Sequence, residues 1–353
     1  MCAVVYRGVN DLRIETVPVP RIQSDELLVK VAACGVCPTD IKKIQHGTVP
    51  PPRIFGHETS GTISQVGARL KGFRIGERVA LHHHIPCLDC HACRHRAFAQ
   101  CAQYKHTGVT AGFEPAGGGY AEYVRVMGFV MPGVVKIPAR NSFLEGAMLE
   151  PVNTVLKAIN RLSLLPGDFV LVIGQGPIGL MFTRLLALRG MNVVASDLLP
   201  ARLKLSKRFG AKLALSAVAK RFRAKAMETT RTGGFDAAVV TVPSDAAVHQ
   251  AQELSRGAGR VLLFAHTRRG DSSELDLSAV CLDEKDLIGS YSSDFTLQNE
   301  VAELVFARRF DVRELITHQF PLEQTEDAIR LAARPAAGSL KIVIVQDVGE
   351  TAK

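Results

Sequence analysis

Four thiols fall within fifteen residues in the run Cys87-x2-Cys90-x2-Cys93-x7-Cys101. Two-residue gaps let successive thiolates turn inward on one ion, and Pro86 and Asp89 suit a tight loop. Four sulfurs saturate a tetrahedral zinc and leave no position for substrate, so the run reads as a structural zinc site. An iron–sulfur cluster and unliganded surface cysteines are the competing readings. His82, His83, His84, His91 and His95 crowd the same region; with four sulfurs already sufficient, they read as surface or pocket-lining residues. A second constellation lies upstream. Cys34 and Cys37 could be a redox pair, a ligand pair or buried small residues. His57-Glu58, about twenty residues on, favours ligation: thiolate, imidazole and carboxylate all bind zinc, and a catalytic site keeps an exchangeable position.

A third pattern is Gly174-Gln175-Gly176-Pro177-Ile178-Gly179. Alone it is weak. Here it sits between the apolar run Phe169–Ile173 and the helical stretch Leu180–Arg189, and a second strand, Asn192–Ser196, ends in Asp197. That context makes it a dinucleotide fingerprint. Gly174 permits the turn, Gly176 lets pyrophosphate approach the backbone, and Gly179 lets helix and strand pack closely. Asp197, twenty-three residues beyond Gly174, can accept both ribose hydroxyls and repel an added phosphate, which selects NAD over NADP. Ser196 and Arg202 soften that preference, since each could meet a phosphate.

The elements that must position these residues differ between two halves. Up to about Pro151, short β-rich runs bounded by Pro and Gly (Val4–Tyr6, Leu12–Val17, Glu26–Cys34, Gly61–Val66, Arg78–Leu81) predict a largely antiparallel, barrel-like domain. After it, strand and helix patterns alternate: Val152–Ile159 reads as helix, and Phe235–Thr241, Gly259–Ala265 and Lys285–Ser290 read as later strands of a six-stranded doubly wound sheet. Phe264, Ser290 and Tyr291 end strands on the side where ligands sit in such sheets, although packing explains the two aromatic residues equally well. A tail with the helix Leu297–Phe306 and the strands Ile316–Phe320 and Lys341–Val345 closes the chain.

The chain has 353 residues, which suits two domains. Its net charge of +9 is dispersed, and the densest basic cluster, Lys220 to Lys225, fits a solvated helix face, so no nucleic-acid partner is expected. No apolar run is long enough to span a bilayer, and the amino terminus reads as a first strand and not as a signal peptide. Eight cysteines in ligand-like spacing suggest a reducing, cytoplasmic compartment.

Cys34-Gly-x-Cys37-x-Thr39-Asp40, Gly56-His57-Glu58-x2-Gly61, the Cys87 to Cys101 lobe and Gly119-Tyr120-Ala121-Glu122-Tyr123, in this order, resemble the zinc-dependent medium-chain alcohol dehydrogenases. The resemblance implies a GroES-like β-barrel catalytic domain (1–151, with the structural zinc lobe at 82–106), a Rossmann domain (152–291) and a return of 292–353 to the first domain. It implies one catalytic and one structural zinc. Cys37, His57 and Glu58 would hold the catalytic ion, Asp40 would support His57, and Thr39 would stand beside the substrate oxygen and pass its proton outward. Glu150 occupies the place where many relatives carry a second cysteine, as in the sorbitol and threonine dehydrogenase branch, and would be a fourth, exchangeable ligand. Lys42 replaces the histidine that ends the proton relay of liver-type enzymes. Lys341 would face the cofactor phosphates, and Arg202 would pack near the adenosine. Phe113 and Glu114 in the loop Thr107–Tyr120 are candidate pocket residues. The implied activity is NAD-linked oxidation of a secondary alcohol or polyol by a homodimer or homotetramer; an amino-alcohol dehydrogenase resembling the threonine enzymes and a non-catalytic zinc-binding relative are the alternatives.

Overall fold

The computed structural model describes residues 1–82, 85–103, 117–230, 233–265 and 270–346. Contacts divide it into two units, Met1–Asn153 with Ser293–Lys353, and Thr154–Ser292.

The first unit begins with β1 (Cys2–Gly8), β2 (Asp11–Thr16) and β3 (Leu27–Gly35), followed by α1 (Pro38–His46), β4 (Arg53–Ile54), β5 (Glu58–Val66) and β6 (Arg78–Ala80). A one-turn helix α2 (His91–Arg94), then β7 (Tyr123–Val126), β8 (Val135–Lys136) and α3 (Phe143–Ala147) lead into α4 (Leu149–Asn160). The helix α1 was not expected from the apolar pattern, yet its ends are marked. Pro38 opens it, and Gly47 closes it at φ 60°, a left-handed conformation that a side chain disfavours. At α3, Ser142 and Glu145 cap each other reciprocally, satisfying two amides of the first turn.

Phe169–Ile173 forms β9, followed by α5 (Pro177–Leu188), β10 (Asn192–Asp197), α6 (Pro200–Arg208), β11 (Leu213–Ser216) and α7 (Phe222–Thr229). Then come β12 (Phe235–Val240), α8 (Asp245–Leu254), β13 (Ser255–Leu263), α9 (Leu277–Leu282) and β14 (Asp286–Gly289). The sheet order is β11-β10-β9-β12-β13-β14, with every pairing parallel. All six residues of β12 are buried, as a central strand covered on both faces requires, whereas edge strand β14 is mostly exposed. The helix α10 (Gln298–Phe306), β15 (Ile316–Pro321), α11 (Thr325–Ala333) and β16 (Lys341–Val345) belong to the first unit again. Its two sheets run β2-β1-β4 and β15-β16-β3-β5-β6-β8, with β7 also on β3. The architecture is a GroES-like sheet domain and a Rossmann-like parallel sheet domain. No described helix is long and apolar enough to cross a membrane.

Candidate active site

Strand register brings the first constellation together. Antiparallel pairing of β3 with β5 sets Gly35 opposite Glu58, so Cys37, two residues past the strand end, meets His57 and Glu58 at the start of β5. One ligating atom from each of Cys37, His57 and Glu58 lies within 4.8 Å of the others. Asp40, on the first turn of α1 and fully buried, places Oδ2 3.2 Å from His57 Nδ1. The other imidazole nitrogen, Nε2, faces Thr39 Oγ1 at 3.5 Å, and the same hydroxyl donates to Cys37 Sγ at 3.0 Å. Burial alone would pull the His57 imidazole down, but Asp40 and Cys37 outweigh it and hold it well above its ordinary value. Asp40 shows the converse: burial would raise it, and His57 and Lys43 hold it below the usual carboxylate range.

Sulfur, nitrogen and oxygen donors gathered in a buried corner, with the back of the imidazole on a carboxylate, fit zinc. Glu150 lies outside this three-residue set: it is buried in the first turn of α4, and its charge reaches Lys341. Running the β3–β16 register (Val343 opposite Gly35) two residues further brings Lys341 opposite Cys37. Its ammonium donates to Glu58 Oε1 at 2.6 Å and to the Val36 carbonyl at 3.0 Å, and it also contacts Glu58 Oε2. Only 5% exposed, it is the counterion of Glu58. Burial would lower its pKa, but Glu58 and Cys37 raise it. Gly35 makes room for the pair, since a Cβ there would stand 1.8 Å from Glu58 Oε2.

The Cys87, Cys90, Cys93 and Cys101 sulfurs form a second set within 4.8 Å of one another. Cys90 is the N-cap of α2, Cys93 lies inside it, and Cys101 follows a short turn of 3₁₀ helix. Backbone amides of Asp89 and Cys90 pull the Cys87 thiol down to about 6, while burial pushes Cys93 up to about 12. His91 and His95 stack on one another at 4.5 Å, outside the thiol set. His82 is not a surface residue. It is fully buried, with Nδ1 3.2 Å from Gln298 Oε1, which also accepts from Asn153. His83, His84, Phe113 and Glu114 lie outside the described residues.

In the parallel sheet, Ile173 pairs with Ser196 and Val240, so the ends of β9, β10 and β12 line up. Gly174 turns at φ 91°, and a Cβ on Gly179 would stand 1.8 Å from the Gly174 carbonyl oxygen. Gly176 caps α5, and Pro177 and Ile178 open it. Asp197 at the end of β10 accepts amide protons on both oxygens, from Gln175 at 2.6 Å and Leu199 at 2.8 Å. Beside it, the Ser196 hydroxyl and Arg202 Nε are buried with no hydrogen-bond partner among the described residues, as is the Ser290 hydroxyl. Phe264 packs edge-on against Phe182 at 5.0 Å, and Tyr291 is 42% exposed.

Known proteins agree with this geometry. Residues 23–139 match the alcohol dehydrogenase GroES-like domain and residues 177–308 the zinc-binding dehydrogenase domain. Sorbitol dehydrogenase of Bombyx mori is 30% identical over 97% of both chains. That of Bacillus subtilis is 29% identical over 98% of this chain and 97% of the relative. The NADH complex of a short chain alcohol dehydrogenase from Escherichia coli CFT073 superposes with a TM-score of 0.87 at 25% identity, covering 98% of this chain and 99% of the other. The chain belongs to the zinc-binding medium-chain dehydrogenase/reductase family and is related to its sorbitol dehydrogenases. It is a hydride-transfer oxidoreductase of the NAD(P)-dependent kind and carries two candidate zinc-ligand clusters, one of Cys, His and Glu and one of four cysteines.

Proposed function

We propose that the protein interconverts a secondary alcohol of the polyol class and its ketone, using NAD, at the Cys37–His57–Glu58 site. The observation that carries this reading is the convergence of those three ligating atoms within 4.8 Å beside the Thr39 hydroxyl. Bound there, zinc would acidify the substrate hydroxyl as a Lewis acid, and NAD would accept the hydride. The chain's own groups do the rest. Asp40 orients His57 through Nδ1, which turns Nε2 toward Thr39 and the ligand set. Thr39 Oγ1 takes the substrate proton and hands it outward. Lys341 neutralises Glu58, so that a carboxylate can sit buried before any ion arrives. Glu150, outside the set, would act through water or as an exchangeable ligand. The closed four-sulfur lobe would hold a structural zinc.

Kinship to sorbitol dehydrogenases along nearly the whole chain supports a polyol substrate, whose adjacent hydroxyls can present two oxygens to one metal. All eight cysteines are free thiols, which supports a reducing, cytoplasmic location. Assembly as a homodimer or homotetramer is part of the same reading, and light scattering would check it. A screen of polyols, amino alcohols and simple secondary alcohols with NAD should give the highest kcat/KM for a polyol. A preference for threonine would move the assignment to the amino-alcohol branch. Thr39→Val should lower kcat by roughly 10²-fold, and Thr39→Ser should retain most of it. An unchanged Thr39→Val rate would remove Thr39 from the relay.

A further inference from the structure

Gln175 fills the variable position between the first two glycines of the nucleotide turn, where a side chain could simply point to solvent. Instead it is fully buried, and so is Thr183 on the inner face of α5. Gln175 Nε2 donates to the Val172 carbonyl at 3.1 Å, and its Oε1 accepts from the Thr183 hydroxyl at 2.9 Å. Its backbone amide donates to Asp197 Oδ2 at 2.6 Å. One residue thus ties strand β9, helix α5 and the carboxylate at the end of β10. Thr183 is a polar residue among buried Leu180, Met181, Phe182, Leu185 and Leu186, and its hydroxyl is used on the turn.

We propose that the Thr183–Gln175 pair is a positioning clamp that sets the nucleotide turn and, through the Gln175 amide, the orientation of Asp197, and thereby determines the preference for NAD over NADP. The inference rests on the nucleotide reading of this unit. A carboxylate held on both oxygens by backbone amides keeps a fixed direction toward the ribose hydroxyls; one held on a single oxygen can rotate. Rotation weakens NAD binding and relieves the repulsion that excludes a 2′-phosphate. General loosening of the fold would lower both cofactors' affinities together. Clamp loss changes their ratio, which a purely structural role leaves alone.

The test is steady-state kinetics of the zinc-loaded enzyme with NAD and with NADP, together with fluorescence titration of NADH. Thr183→Val removes the hydroxyl at nearly constant volume. The ratio of kcat/KM for NAD to that for NADP should fall roughly tenfold, the worth of one buried hydrogen bond, mainly through KM for NAD. Thr183→Ser should restore it. Should Thr183→Val fold poorly, Gln175→Leu combined with Thr183→Val removes both partners and keeps an apolar fit, and the same fall in ratio is expected. A ratio unchanged in a folded variant, with wild-type enzyme binding NADH, overturns the clamp alone. Failure of wild-type enzyme to bind NADH overturns the nucleotide reading and the clamp with it.

Discussion

The two candidate metal-ligand clusters of the first unit use cysteine in opposite ways. The lobe at Cys87 to Cys101 takes four identical donors from fifteen consecutive residues, with Cys87 exposed and Cys93 and Cys101 buried. The site at Cys37 takes one sulfur, one nitrogen and one oxygen from two strand ends, and its counterion comes from 283 residues further along the chain. A closed, charge-saturated shell needs only a loop and a turn of helix. An open, mixed shell needs neighbours that orient each ligand and balance its charge, and here these are Asp40 and Lys341. The proposed function resides in the shell that depends on tertiary contacts.

The sharpest way to break this contrast is metal analysis. Wild-type protein should hold two zinc ions, one for each cluster. Cys37→Ala should lose one of them and reduce kcat/KM by more than roughly 10³-fold, since Lewis-acid assistance contributes several kcal/mol. Cys101→Ala should lose the other and lower the thermal midpoint, with activity surviving in the folded fraction. Retention of both ions by Cys37→Ala would end the distinction.

A smaller effect is expected at the counterion. Lys341→Ala leaves the Glu58 carboxylate buried without its ammonium, and denaturant unfolding of chelator-treated protein should show a loss of about 3–5 kcal/mol. Lys341→Met with Glu58→Gln removes both charges and should return close to wild type. A loss under about 1 kcal/mol for Lys341→Ala would mean that the pair behaves like an exposed one.

The least costly change concerns thiol reactivity. Cys87 is lowered to about 6 by the amides of Asp89 and Cys90, whereas burial pushes Cys34 up to about 12. In chelator-treated protein near neutral pH, iodoacetamide should therefore alkylate Cys87 readily and leave Cys34 untouched. The thiolate is the nucleophile, so labelling of Cys87 should slow as pH falls through about 6. Equal labelling of the two residues, followed by peptide mass analysis, would contradict the burial difference.

Much of this was legible before any coordinates. The strand Phe169–Ile173 and the strand Lys341–Val345 have the predicted bounds, because continuous apolar runs between turn residues leave few alternatives. Helix α1 escaped a reading based on apolar period, since it is short and mostly polar; its signal was the Pro38 and Gly47 punctuation. His82 reads in sequence as one of a group lining the surface or a pocket, and only the packing of Gln298 and Asn153 around it shows a buried residue.

By itself, the sequence determined the local devices: four thiolates at loop spacing, a Gly-rich turn between strand and helix, and a carboxylate at the end of the next strand. Each is specified by neighbours a few residues away, so spacing carries the geometry. The tertiary structure alone decided the partners. It set Lys341 on Glu58 and turned Gln175 inward to Thr183. Those choices follow from sheet register and burial, which fix which distant charge or hydroxyl is near enough to satisfy a group that water cannot reach.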